Sequence, residues 1–446
     1  MMRLRATWEY VRGTYWAVPS AMSVAASLLS IGVIHLDEAV GSRLSWVYAG
    51  GPEGARAVLS TIAGSMITVA GVTFSITIVA LTLASQQFGP RLLRNFLRDL
   101  GNQIVLGTFV STFLYCLLVL RTIRGTEDVE FVPHLAVTIG VGLAMVSLGV
   151  LIFFIHHVVT SIQASRIIAR VAADLDAAAN RLFPEAVAPS TTGGAADAST
   201  TPRPTAGALT VVRAALAGYV QAIDDDRLVA VARGRDLRVW LHVAPGAFVR
   251  PGSALMTVCA ETAPDDWASD VFRGLVMIGA EHSGTQDIRF FMGQLVELAV
   301  RALSPGINDP ATARGCLDRL EHALSVLASR RLPDAVRLDA DRVPRVMAQP
   351  VTFATFVDTA FAEVGRHAES SVSVTCRLLD AVRNVAHCVQ RDGDRAPLLE
   401  QALAIRERSR QQRLAPGDRA RIEDAYAAAR DALGPGPGSR VAWPSP

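Results

Sequence analysis

Lysine is missing altogether: the 43 basic residues of this 446-residue chain are all arginine. That absence excludes a Schiff-base lysine, a phosphate-loop lysine and a lipoylated or biotinylated carrier lysine. Cysteine is sparse. Cys116, Cys259, Cys316, Cys376 and Cys388 form no C-x-x-C pair, have no zinc-finger spacing and are odd in number, so they are read as reduced, packed thiols. Neither sign of charge dominates, because the net charge is only +2; neither a nucleic-acid footprint nor an acidic interaction tail is indicated. No P-loop, G-x-S-x-G, H-E-x-x-H or nucleotide-binding glycine fingerprint occurs. The expectation is a protein without catalytic residues, cofactor or nucleic-acid partner.

What the chain has in excess is apolar residues, at half of its composition. Its mean hydropathy is +0.31, high for a soluble protein, and its length suggests about two or three domains of roughly 100–200 residues. A hydrocarbon layer about 30 Å thick needs roughly 20 apolar residues in helix. Four runs qualify, at about 16–36, 58–84, 104–120 and 132–159. The first is too long for a signal peptide and no small-residue cleavage site follows it, so it is read as an anchor.

Arginine placement orients the spans. Arg3, Arg5 and Arg12 precede the first, Arg91, Arg94 and Arg98 lie between the second and third, and Arg166 and Arg170 follow the fourth. The opposite side carries Arg43, Arg56, Arg121 and Arg124 among acidic residues. Both termini are therefore expected in the cytoplasm of a bacterium, with the protein multi-pass in its inner membrane.

The second span is rich in hydroxyls. Thr61, Ser65, Thr68, Val72, Ser75, Val79, Thr82 and Gln86 recur at alternating spacings of four and three, which is one stripe of a helix. Gly64 and Gly71 add small surfaces. Two readings compete: small and hydroxyl residues let helices pack closely in lipid, or copies of the stripe gathered around an axis line a pore. Both place protein against this helix. Ionisable residues are absent from the span centres, so a proton-coupled pump finds little support. His156 and His157 close the fourth span; adjacent residues point about 100° apart on a helix, and an interfacial hydrogen-bonded role is preferred over metal binding.

Residues 1–170 thus read as a four-helix transmembrane domain and 183–208, rich in Pro, Ala, Ser, Thr and Gly, as a flexible linker. From 209 to 262 the runs VVRAALAGYVQAI, RLVAVA, DLRVWLHV and ALMTVCA read as short strands. Residues 263–433 read as a cytoplasmic helical domain and 434–446 as a disordered tail. Helices are expected near 286–303, 310–329, 352–364, 370–390, 397–411 and 419–433, with Thr285 capping the first and Asp309 the second, ahead of Pro310. Glu281, His282, Gln286, Asp287, Arg289, Asn308 and Asp309 are the polar residues able to converge on a pocket. Gln286, Asp287, Asn308 and Asp309 are the candidate ligand or interface residues, although capping alone accounts for Asn308 and Asp309.

Two resemblances add to this. Gly218-Tyr219-Val220 followed by Pro245-Gly246-Ala247-Phe248-Val249-Arg250-Pro251-Gly252 resembles the barrel-sandwich fold of lipoyl and biotinyl carrier domains over about 50 residues, without the carrier lysine. The segments TFSITIVALTLASQQFGPR, FFIHHVVTSIQA, GYVQAID and QDIRFFMGQLVELAVRALSPGINDPATA look like the bacterial membrane family called domain of unknown function 2254, with ALSPGINDP the most specific. A departure falls at Glu281–Thr285, where that family's pattern suggests an Arg-Thr pair. The second resemblance implies membrane topology and architecture and no activity.

Two functions follow as expectations. One is a homo-oligomeric channel or pore in the lipid bilayer, lined by Thr61, Ser65, Thr68, Ser75, Thr82 and Gln86. The other is a membrane-anchored sensor or scaffold whose cytoplasmic part binds a ligand or partner.

Overall fold

The structure is a computed structural model and describes residues 16–40, 50–88, 99–126, 129–161, 163–185, 208–261 and 267–434. The chain divides into two compact units, 1–167 and 168–446.

The first unit is a bundle of α1 (Ala17–Val40), α2 (Pro52–Phe88), α3 (Leu100–Leu120) and α4 (His134–Ser161), with a small antiparallel hairpin, β1 (Arg124–Thr126) and β2 (Val129–Phe131), before α4. All four helices are long and apolar enough to cross a bilayer, which puts lipid around the bundle. Pro52 and Glu53 suit the first turn of α2, where a missing N–H costs nothing and a carboxylate meets the positive end of the helix dipole. Of the third span, 56% is buried, against 17% or less in the others, because α3 packs against each of α1, α2 and α4. Lipid is as apolar as leucine, so close packing rather than the hydrophobic effect holds such a bundle. Leu59, Tyr115, Cys116, Val119, Ala136 and Val137 fill one end, and Ala70, Ala80, Val105, Phe109, Phe154 and Val158 the other.

The second unit is mixed α/β. α5 (Ala164–Leu182) turns Ile168, Val171, Ala172, Leu175, Ala178 and Ala179 inward at helical spacing. A five-stranded sheet has the order β3 (Ala208–Arg213), β7 (Ala254–Ala260), β5 (Arg238–Leu241), β10 (Pro344–Met347) and β9 (Val336–Leu338); a three-stranded sheet has β6 (Phe248–Val249), β4 (Gly218–Ile223) and β8 (Val276–Gly279). Every pairing is antiparallel except β5 with β10. The sheets share one core, including Val212, Val220, Val239, Leu255, Met256, Val258 and Val346. The barrel-sandwich expected over 209–262 is not what these pairings show. The sheets are open, and each recruits strands from beyond residue 262.

One expected strand is a helix. Residues 227–232, RLVAVA, lie in α6 (Asp225–Gly234). Asp224 caps it by accepting the Arg227 N–H, and Leu228 and Ala232, four apart, are its buried side. α7 (Trp267–Arg273) follows β7.

The remaining helices are α8 (Arg289–Ala302), α9 (Pro310–Ala328), α10 (Phe353–His367), α11 (Val372–Cys388), α12 (Arg395–Arg410) and α13 (Pro416–Ala432), close to the expected ranges. Phe353, Phe361, Leu378, Val382 and Leu398 are fully buried among them, and full burial of such a side chain contributes about 1.5–3 kcal/mol. Burial pushes the Cys316 thiol up to about 12, so it stays protonated and inert. Of the expected linker, 186–207 lies outside the described residues, as does the tail from 435. Residues 183–185 are anchored: Phe183 meets Phe356 edge-on, and the carbonyls of Pro184 and Glu185 accept from Arg330 and from the Arg331 N–H.

Candidate functional site

The α2 stripe faces outward along its whole length. Thr61, Ser65, Thr68, Val72, Ser75, Val79, Thr82 and Gln86 are all exposed in the protomer, and the space beside Gly64 and Gly71 is open. The opposite face, with Ala55, Leu59, Ala63, Ala70, Thr73 and Ala80, is buried. Each stripe hydroxyl donates to the carbonyl four residues back: Thr61 to Ala57 (2.7 Å), Ser65 to Thr61 (2.8 Å), Thr68 to Gly64 (2.8 Å), Ser75 to Gly71 (2.9 Å) and Thr82 to Ile78 (2.9 Å). The donors are therefore satisfied in any surroundings, and the oxygens stand on the exposed face of the helix. Gly89-Pro90-Arg91, the expected stop, lies outside the described residues.

In the second unit Asp287 is the centre of a network. Its side chain is 5% exposed and accepts from the Arg289 N–H (3.1 Å), Arg289 Nε (2.7 Å), Arg289 Nη2 (3.1 Å) and His282 Nε2 (3.0 Å). Arg289 Nη2 also donates to the Pro245 carbonyl at 2.9 Å. A buried carboxylate with four donors, two of them from one guanidinium, is well compensated. Gly246 makes the approach possible: its φ is +88°, and a Cβ there would stand 2.1 Å from Asp287 Oδ2. The His282 ring stacks on Tyr219 and meets Phe290 edge-on, while Tyr219 meets Phe248. Phe248 is 58% exposed, so the network ends in an aromatic surface.

Gln286 does something else. Its Oε1 accepts the Ile223 N–H and its Nε2 donates to the Ile223 carbonyl, clamping the end of β4. These ties explain why α8 starts at Arg289 rather than after a Thr285 cap. Residues 286 and 287 are held against the sheet and its turn, and the cap position falls on Ile288.

Asn308 and Asp309 do not join Asp287; they follow the far end of α8, about 20 Å along the helix axis. Asn308 takes a φ of +47°, a turn conformation asparagine tolerates. Asp309 caps α9, accepting from the Ala311 and Thr312 N–H groups and the Thr312 hydroxyl (2.6 Å). That hydroxyl, then the Thr312 N–H, holds its carboxyl below the ordinary carboxylate value.

The two histidines of α4 part company. His156 is exposed, whereas His157 Nε2 donates to Asp99 Oδ2 at 3.0 Å. Asp99 also caps α3 through the Gly101 N–H. Among the described residues no group of three or more His, Cys, Asp or Glu side chains is placed to hold a metal ion.

Sequence reasoning named His282, Asp287 and Arg289 but missed Tyr219, Phe248 and Gly246 as their partners. The only local signal was the Pro245-Gly246 turn. It also missed a second row of hydroxyls, in α3, whose spacing in the sequence was the available cue.

Four lipid-facing spans joined to an α/β unit define a multi-pass membrane protein. The chain belongs to the family described as "Predicted membrane protein (DUF2254)", whose profile matches residues 12–384. It is similar to uncharacterized proteins of Mycobacterium bovis and Mycobacterium tuberculosis, each 35% identical over 442 residues, covering 97% of this chain and 83% of theirs. No solved structure matches it.

Proposed function

We propose that the protein is a homo-oligomeric ion channel of the bacterial inner membrane whose α2 helices line an axial path. The α/β unit lies with both termini in the cytoplasm and assembles or gates it. The observation that carries the reading is the exposed α2 stripe. A row of exposed hydroxyl oxygens gains nothing from lipid, but around an axis it offers the oxygen ligands that replace an ion's water. The α2 helix is about 55 Å long, well beyond a hydrocarbon layer of about 30 Å, so such a path would extend past the bilayer. Ser75→Leu and Thr82→Leu are expected to reduce ion conductance in reconstituted vesicles while the protomer stays folded. Unchanged ion flux in both variants, or a stripe packed shut in the oligomer, overturns the reading.

The second reading, a sensor or scaffold, is favoured by one observation, the exposed Phe248 surface braced by the Asp287 network. It predicts that a photo-crosslinker placed at residue 248 of the full-length protein captures a defined partner or ligand, and that Tyr219→Ala abolishes the capture.

A further inference from the structure

The aromatic surface that Phe248 opens continues onto two adjoining loops. Residues 214–217, between β3 and β4, read Ala-Ala-Leu-Ala, and residues 250–253, between β6 and β7, read Arg-Pro-Gly-Ser. Ala215, Leu216, Ala217 and Pro251 are exposed, Leu216 at 65%, where a loop in water would carry polar turn residues. The two loops are bonded to each other. The Ala214 N–H donates to the Ser253 carbonyl and the Gly252 N–H to the Ala214 carbonyl, each at 2.8 Å. Arg213 Nη1 donates to the Gly252 carbonyl (2.8 Å), and the Arg250 N–H to Ser253 Oγ (3.0 Å). Tyr219 and Phe248 face each other across β4 and β6 at the base of this tip.

The charge on the tip has one sign. Arg213 and Arg250 are exposed, and no acidic residue occurs in 208–219 or 242–254. The acids bordering these elements are Asp270, Asp287 and Glu281. Asp270 is paired with Arg273 at 2.6 Å, and Arg273 Nε donates to the Arg213 carbonyl. Asp287 is matched by Arg289, and Glu281 stands at the margin, its carbonyl accepting from Gln221 of β4.

From this arrangement we infer that the tip docks the α/β unit onto an anionic phospholipid surface, with Leu216 and Phe248 entering below the headgroups and Arg213 and Arg250 meeting the phosphates. Apolar side chains beside basic ones are what hold a peripheral segment on a charged bilayer, through buried apolar area and attraction to anionic lipid together. A guanidinium meets phosphate oxygens as a two-pronged donor. The bonds between the loops are internal, so the tip can pass from water into the headgroup layer without breaking them. A stable protein partner would cover about 800 Å² on this side, whereas the tip offers two large apolar side chains. Weak attraction suffices for lipid, because the spans of the same chain keep a bilayer at hand. The inference rests on the second reading above, that the Phe248 surface is a capture site, and names anionic lipid as what it captures.

The test uses the full-length protein with a photo-crosslinking side chain in place of Leu216. It is reconstituted into vesicles of equal parts phosphatidylglycerol and phosphatidylcholine, or of phosphatidylcholine alone, and mass spectrometry reads the adduct. Phospholipid adducts are expected in the mixed vesicles. Their yield should fall about fivefold in Arg250→Gln, the weight of one arginine at an anionic surface, and Arg250→Lys should retain it. Phosphatidylcholine alone, or about 0.5 M salt, should lower the yield further. The lipid and salt arms need no change at Arg250, so they decide the matter even where Arg250→Gln disturbs the turn. The same crosslinker in place of Leu338, 49% exposed in β9, should stay at background. Equal lipid adducts at 216 and 338, or a yield indifferent to phosphatidylglycerol, overturns the inference. So does an adduct confined to protein, whether a second copy or another chain in native membranes, although that outcome leaves the second reading standing. No adduct of any kind at 216 or 248, in vesicles or native membranes, removes both.

Discussion

Two helices of the bundle carry rows of hydroxyls at spacings of three and four and use them oppositely. The α3 row faces its neighbours: Thr112 is 1% exposed and Ser147, opposite, 0%. The α2 row faces away from the other described spans, its hydroxyls folded back on their own backbone. A four-and-three period therefore marks a seam without saying who supplies the other side. That is decided by the large residues around it. Phe109 and Tyr115 fill the space beside α3, while Val72 and Val79 extend the exposed face of α2.

The sharpest way to break this comparison is to enlarge a glycine on each helix. A Cβ at Gly107 would meet Met22 Sδ at 2.5 Å and Pro19 Cα at 3.2 Å, whereas nothing lies near one at Gly71. Gly107→Leu is expected to cost about 1–3 kcal/mol of protomer stability, or to prevent folding. Gly71→Leu should leave the stability of the protomer unchanged and, on the proposed function, alter only the assembly of copies. Thermal unfolding in detergent, with size analysis, separates the two. Equal losses would mean that α2 is packed within its own chain.

A smaller contrast removes single hydroxyls. Tyr115→Phe removes the side-chain donor to the buried Ala136 carbonyl, and the expected loss is about 1 kcal/mol. Thr68→Val removes a bond the helix makes to itself on an exposed face, and the expected change lies within about 0.5 kcal/mol.

The third contrast moves the question into water, where pH reads the same kind of cap. Asp309→Ala is expected to cost about 1 kcal/mol through the lost α9 cap. Asp309 is held below the ordinary carboxylate value first by the Thr312 hydroxyl, and Asp339 first by the Arg345 guanidinium. A depressed folded value means that their contribution is complete above the ordinary carboxylate range and fades as pH falls through the folded value. Unfolding followed from pH 7 down to pH 3 should show the loss at the acid end only. Asp309→Asn should flatten part of it, and a loss centred near pH 6 would contradict the assignment.

The four spans were legible because lipid demands long apolar runs, and α9 because Asp309 and Pro310 carry a start signal that needs no tertiary partner. The course of 227–232 was misread because Leu-Val-Ala-Val-Ala suits a strand, and the Asp224 cap that makes it helical precedes the run. The sheets were half legible: β8, β9 and β10 are three or four residues each, too short for a period to show. Asp287 was found as a polar residue, but its site depends on Gly246, forty-one positions earlier, where only the backbone conformation reveals the contact. The α3 row escaped notice because buried hydroxyls in an apolar span differ from exposed ones only in their neighbours.

The parallel pairing of β5 with β10 has a consequence in time. Val239 waits for Val346, which leaves the ribosome roughly a hundred residues later, and contacts of such sequence separation form slowly. During synthesis the spans come first and β5 second, while the strand that completes its sheet follows α8 and α9. For that interval an apolar strand edge stands open, the condition in which chains associate wrongly. Truncation before residue 344 should therefore do more harm than removal of α13, although both leave the four spans intact.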